Sequence, residues 1–212
     1  MLRTDHLVLR DFTAADIEKR IYWETVETEW QLWDAPWEYE GLTEKEKTEE
    51  YERYLNMLHK WAEQRIPEHG KRNSFQIETI EGQAYIGWVS SYRIDEEYNY
   101  RRGAGYCTVG INIPDMSARG KGYAYEALGA FISYLIEQGE CEIYTQTWSG
   151  NERMIHIAEK IGFEDCCRKE GIRSVRGRTY DGLTFQLNMQ KFFGGYRTCS
   201  CEEDQRQLNE KR

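Results

Sequence analysis

The sequence predicts one α/β domain, and three observations carry that expectation. A strongly apolar helical pattern over 122–138 lies between two strand-like runs, 105–113 and 141–148. A period-two pattern over 75–89 reads as a hairpin. Strands and helices then alternate through the second half of the chain, in the overall order β-α-α-β-β-β-α-β-α-β-β.

His6-Leu7-Val8-Leu9-Arg10 is a short, mostly apolar run that suits a strand, and Thr13-Ala14-Ala15-Asp16 carries an acid where a helix would start. Helical spacing continues through Trp23, Trp30, Trp33 and Trp37 until Pro36 interrupts it. Two readings of this stripe stand. It packs a core, or it lines a substrate pocket where Trp33-Asp34-Ala35-Pro36-Trp37 leaves the helix as a loop. Trp33, Asp34 and Trp37 are therefore the candidate substrate residues, two aromatics and a carboxylate able to cradle an amine.

Residues 43–65 form a second amphipathic helix, with Thr43-x-x-Glu46 as a capping box and Tyr51, Tyr54, Leu55, Leu58 and Trp61 on one face. The hairpin over 75–89 turns at Glu81-Gly82. Asp95 to Gly103 is a polar loop, and in the following strand Val109, Ile111 and Ile113 share one face. The apolar helix ends at Gly139 in a C′ position. A strand over 141–148 follows, then a helix over 149–161 stopped by Gly162. Two strands from Phe163 to Met189, with turns at Gly171 and Asp181-Gly182, complete the order. The expected domain is 1–193, with 194–212 a polar tail.

A chain of 212 residues buries a sizeable core without metal or disulfide staples. Its formal charge of −9 argues against a nucleic-acid partner and favours cationic ones. The mean hydropathy is −0.81, and no run approaches the ~20 apolar residues of a membrane span. With no signal-like start, a cytoplasmic protein is expected. Six cysteines stand at 107, 141, 166, 167, 199 and 201. Cys199-x-Cys201 lacks a second ligand pair, so no metal is expected. Cys107, Cys141, Cys166 and Cys167 lie in or beside predicted strands and read as small packed hydrophobes.

The chemistry concentrates in Arg119-Gly120-Lys121-Gly122-Tyr123-Ala124, between a strand and the apolar helix. Unpaired N–H groups and the helix dipole attract anions there, Gly120 and Gly122 allow close backbone approach, and Arg119 and Lys121 add charge. A pyrophosphate suits this turn. The run lacks the three spaced glycines of a dinucleotide fingerprint and the Gly-Lys-Ser/Thr ending of a P-loop, which argues against hydride transfer and NTP hydrolysis.

The same run fits Arg/Gln-x-x-Gly-x-Gly/Ala, with Arg119, Gly122 and Ala124 at the defining positions, and resembles the acetyl-CoA signature of the GNAT superfamily. Thr4-Asp5-His6-Leu7-Val8-Leu9-Arg10 is similar to the opening Thr-x-Arg-Leu-x-Leu-Arg of the RimJ/RimL-type branch. Asn151 followed by Ala158-Glu159-Lys160-Ile161-Gly162-Phe163 is similar to that branch's Asn…Glu-Lys-x-Gly-Phe. The resemblance spans about residues 4–190.

It implies the GNAT fold, a mixed, mostly antiparallel, splayed sheet flanked by helices, with acetyl-CoA as co-substrate and no metal. The pantetheine arm would lie between the strands ending near Ile113 and Trp148, bonded by backbone groups of Ile111 and Ile113. The N–H groups of the Arg119–Ala124 turn would hold the pyrophosphate, and Asn151 would reach the reactive end. Asn151 also reads as a helix N-cap, although Ser149-x-x-Glu152 offers a capping box that would release it. The implied reaction is direct acetyl transfer to a primary amine, on a small cationic molecule or a protein N-terminus. The resemblance also admits a homodimer.

Two departures leave the catalytic residues open. Thr108 stands where many relatives carry Glu, and Met154 and Ala158 stand where many carry Tyr or Ser. Asp34 and Asp115 are the acids to weigh, the second also a turn-former after Pro114. The same departures keep a non-catalytic acyl-CoA-binding or sensor module as the alternative.

Overall fold

A computed structural model describes residues 1–67 and 69–195; the expected Cys199–Cys201 pair and most of the tail lie outside the described residues. Alternating apolar positions build one mixed sheet from β1 (Leu2–Arg3), β2 (Leu7–Arg10), β3 (Ser74–Thr79), β4 (Tyr85–Ile94), β5 (Tyr100–Arg101), β6 (Tyr106–Asn112), β7 (Ile143–Trp148), β8 (Phe163–Val175) and β9 (Arg178–Leu187). The strand order is β1-β2-β3-β4-β6-β7-β9-β8, with β5 paired to β4 off that path. All pairings are antiparallel except β6 with β7. The helices are α1 (Ile17–Thr25), α2 (Glu44–Glu63), α3 (Tyr123–Glu137), α4 (Glu152–Ile161) and α5 (Met189–Gly195).

The core forms where α3 meets the sheet. Leu128, Phe131, Ile132 and Leu135 join Leu7, Leu9, Phe75, Ile77, Val89, Cys107 and Val109 in one buried cluster. Each fully buried side chain of this size contributes about 1.5–3 kcal/mol, so α3 is firmly anchored and the turn before it has a fixed seat.

The feature that positions the site is the end of the β6–β7 pairing. Cys107 pairs with Ile143, Thr108 with Tyr144 and Val109 with Thr145, and there the ladder stops. Both strands run on, as Gly110–Asn112 and Gln146–Trp148. The end of β6 stays on β4 through Asn112 and Trp88, while the end of β7 stays on β9 through Trp148 and Gly182. Two partners pulling apart make a fork. Thr145 Oγ1 donates to the Val109 carbonyl at 2.8 Å and closes its apex.

Several expectations need correction. α1 stops at Thr25, and Trp30 and Trp37 sit in separate short 3-10 helices, Thr28–Leu32 and Pro36–Glu38. Thr25 turns its hydroxyl back onto the Ile21 carbonyl at 2.8 Å, and a β-branched valine follows, both unfavourable to continuation. The helical spacing survives because Trp30 Nε1 donates to the Trp23 carbonyl at 2.9 Å. The last hairpin turns at Arg176-Gly177, with φ of 50° and 72°, the conformation of a tight type I′ turn. Gly171 and Gly182 lie inside strands instead, Gly171 at a register shift between Lys169 and Arg173. Cys107 is buried as expected, but Cys141 and Cys166 are exposed and Cys167 is half-buried, so core packing does not explain those three. β1, β5 and α5 were not foreseen; α5 seats Phe192 in the core and runs across the expected boundary at 193.

Candidate active site

The fork opens into a cavity of about 600 Å³. Gly110 to Ile113 form one wall, Gln146 and Thr147 the other. The turn before α3 and one face of α4 close one end, and Trp30, Trp33 and Asp34 border it as well.

The turn has the shape its glycines allow. Gly120 and Gly122 adopt φ of 74° and 83°, which side chains with a Cβ reach only with strain. α3 starts at Tyr123 with no side-chain cap, so no side chain competes with an anion for the first-turn N–H groups. A Cβ placed at Gly110, Gly120 or Gly122 would meet nothing within 4 Å. These are open approaches to bare backbone.

Of the expected cofactor residues, Ile111, Ile113, Arg119, Gly120, Gly122, Tyr123, Ala124 and Asn151 border the cavity. Lys121 is exposed and is not among the lining residues. The Arg119 charge is already committed. Its guanidinium donates to the carbonyls of Ile113 at 3.1 Å and Pro114 at 3.4 Å, and pairs with Glu29. Glu29 also accepts from Trp33 Nε1 at 2.7 Å and Arg153 at 3.2 Å. Burial raises its pKa, but these donors outweigh that and hold Glu29 below the usual carboxylate range.

α4 presents Arg153, His156, Ile157 and Lys160 to the cavity. Arg153 lies 4.1 Å over the Trp33 ring and Lys160 lies 4.8 Å from the Tyr125 ring centre. Their offsets of three, four and seven place them on one helical face, a pattern that does not by itself mark them as site residues. They give an acidic protein a basic stretch of cavity.

Asn151 does two things. Its Oδ1 accepts from Met154 N at 3.1 Å and caps α4, while its Nδ2 donates to the Trp33 carbonyl at 2.8 Å. Trp148 Nε1 donates to the same carbonyl at 2.9 Å. The Ser149–Glu152 capping box does not form; Ser149 Oγ instead accepts from Asp181 N at 3.0 Å.

Of the expected substrate residues, Trp33 and Asp34 border the cavity, whereas Trp37 packs edge-on against Trp148 and beneath Arg173 and does not line it. Asp34 is an exposed residue where it lines the cavity, yet the protein around its carboxyl still desolvates it. Desolvation pushes its pKa up to about 6, Glu38 adds to the rise, and a hydrogen bond with the Asn112 side chain opposes it. Asp115 is its opposite. It caps a short 3-10 helix, accepting from Ser117 N at 3.0 Å and Ser117 Oγ at 2.6 Å, with Lys19 at 3.4 Å. Burial raises the Asp115 pKa, but these partners prevail and hold it low. Thr108 is fully buried, its hydroxyl without a partner among the described residues, and it does not border the cavity. Among the described residues no three His, Cys, Asp or Glu side chains gather to hold a metal, and no helix is long and apolar enough to cross a membrane.

Comparison with known proteins agrees with this geometry. No curated protein sequence is significantly similar to the chain. Solved structures share its fold: a GNAT-family acetyltransferase from Bacillus anthracis is 17% identical over 88% of this chain and 96% of its own, with a TM-score of 0.60. A spermidine N-acetyltransferase chimera from Vibrio cholerae and hSSAT is 18% identical over 89% and 98%, with a TM-score of 0.59. A RimL ribosomal L7/L12 alpha-N-protein acetyltransferase in complex with coenzyme A is 14% identical over 89% and 97%, with a TM-score of 0.60. The family model described as acetyltransferase (GNAT) domain matches residues 6–164. The chain belongs to the GNAT acetyltransferase family, whose acyl donor is acetyl-CoA.

Proposed function

We propose that this protein is a cytoplasmic acetyltransferase of the RimJ/RimL-like branch that moves an acetyl group from acetyl-CoA to a primary amine. The acceptor is a small cationic molecule or a protein N-terminus. The observation that carries this reading is the polarity of the fork cavity: Arg153, His156 and Lys160 line it along α4, and Asp34 lines it near Trp30 and Trp33.

Phosphates suit the first region, with the N–H groups of the Arg119–Ala124 turn and the positive end of α3 as donors. Backbone groups of Ile111 and Ile113 would bond the pantetheine arm, as strand edges do. A cation suits Asp34 with the aromatic faces beside it. The names of two structural neighbours point the same way, one a spermidine and one a protein alpha-N acetyltransferase. Direct transfer needs the amine held against the thioester carbonyl and freed of a proton, with no covalent enzyme intermediate.

A second reading, a non-catalytic acyl-CoA sensor, draws support from Thr108, buried and without a partner among the described residues at the position where the resemblance implies a Glu. Thiol release from acetyl-CoA separates the two. The enzyme reading expects release that depends on spermidine, an aminoglycoside or a peptide with a free α-amine. Tight binding of acetyl-CoA with no turnover on any of them would establish the sensor.

A further inference from the structure

We propose that Asp34 is the general base of the transfer, held at the mouth of the fork by the backbone that precedes it. The assignment rests on the acetyltransferase reading above.

The backbone comes first. The Trp33 carbonyl, one atom group before Asp34, accepts from Trp148 Nε1 at 2.9 Å and Asn151 Nδ2 at 2.8 Å. Trp148 ends β7 and Asn151 caps α4, so the Trp33–Asp34 peptide is pinned to the β7 side of the fork. Asp34 and Asn112, the last residue of β6, border the same cavity. Asp34 thus sits at the mouth of the fork, fixed through Trp33 to the β7 side and bordering the cavity where an acyl carbonyl would lie.

Two other acids near the site are already engaged. Glu29 borders neither strand end and is occupied by Arg119, Arg153 and Trp33. Asp115 is spent on Ser117 and Lys19. Thr108, at the position of the family's usual glutamate, carries no titratable group in the working range and lies outside the cavity.

The surroundings of Asp34 suit a proton acceptor. Glu38 and Tyr39 approach from its own segment, Tyr92 from β4, and Arg173 from β8 beyond Tyr92. Burial drives both tyrosines above their ordinary range, so they stay neutral. Arg173 stacks on Trp37, 4.2 Å from its ring centre, and Glu38 adds negative charge that favours the protonated carboxyl. A carboxylate poised near neutrality takes a proton more effectively than an ordinary surface one.

The step balances as follows. The Asp34 carboxylate removes one proton from the bound ammonium. The freed nitrogen lone pair forms the N–C bond to the thioester carbonyl carbon while the carbonyl π pair moves to oxygen. As the carbonyl re-forms, the C–S bond breaks and its electron pair leaves with sulfur, which takes the second nitrogen proton. Asp34 returns its proton to solvent. An ammonium and a thioester give an amide, a thiol and one proton.

The test uses the full chain, acetyl-CoA, and as acceptor probes spermidine and a peptide with a free N-terminus. Asp34→Asn is expected to lower kcat/KM by about 10²–10⁴-fold while calorimetric CoA affinity is kept. The wild-type profile should rise to a limb at about pH 6; that limb should vanish in Asp34→Asn and return in part in Asp34→Glu. Wild-type turnover with an Asp34→Asn variant that retains the limb, or stays within about twofold in kcat/KM, overturns the base assignment and leaves the acetyltransferase reading standing. A wild-type protein that binds CoA yet turns over neither amine overturns the acetyltransferase reading, and the assignment with it.

Discussion

Asn151 and Trp33 are joined by a 2.8 Å hydrogen bond from a side-chain amide to a backbone carbonyl, across 118 residues of sequence. The same amide caps α4, so one residue sets both a helix start beside the cavity and the loop that carries Asp34.

Asn151→Ser separates these tasks. Serine caps a helix about as well as asparagine, but its hydroxyl is too short to keep the Trp33 bond. Melting temperature should stay within about 2 °C of wild type, while the amine KM rises about two- to tenfold, the worth of one hydrogen bond. Asn151→Ala removes both and should also lose about 1 kcal/mol of stability. Calorimetry and steady-state kinetics on the two variants check this.

Glu29 ties Trp33 to two arginines, Arg119 and Arg153. Removing its charge leaves both arginines to an anionic ligand and loosens Trp33. Glu29→Gln should therefore bind CoA about three- to tenfold more tightly at low ionic strength, with the gain shrinking as salt screens it. The amine KM should rise at the same time. Titration calorimetry at two salt concentrations reads the first effect, and initial rates read the second.

Asp34 also leaves a mark on stability. Its folded pKa of about 6 lies above the unfolded carboxylate's value of about 3.9. Between these values the folded state holds more protons than the unfolded one, so stability falls as pH rises through that window and levels off above about 6. Asp34→Asn removes the cost. Its melting temperature should match wild type near pH 4 and exceed it by about 2–4 °C at pH 7.5, for roughly 1 kcal/mol after allowing for solvent screening. Paired thermal scans at the two pH values test the sign.

How much of this was legible beforehand depended on how local the signal was. α3 and its turn could be read because Leu128, Phe131, Ile132 and Leu135 repeat at helical spacing directly after two glycines. The fork itself could not. Gly110 to Ile113 alternate as a paired strand does, and only the register shows that pairing ends at Val109 and Thr145. The last turn was misplaced because a glycine in a bulge, Gly171, looks in sequence like a glycine in a turn, Gly177. Asp34 could be read as a carboxylate among aromatics, but its placement at the fork comes from Trp148 and Asn151, which hold the preceding Trp33 carbonyl and are distant in sequence, brought to it only by the fold.

The central claim is that acetyl-CoA occupies the fork between β6 and β7, and Gly110→Val tests it most directly. A Cβ at Gly110 meets nothing within 4 Å, and valine suits a strand, so the fold should survive while the passage narrows. Titration of CoA into both proteins is the measurement. The account predicts an affinity lower by at least about tenfold, or 1.4 kcal/mol, at an unchanged melting temperature. Equal affinity in a variant that melts with the wild type would contradict it.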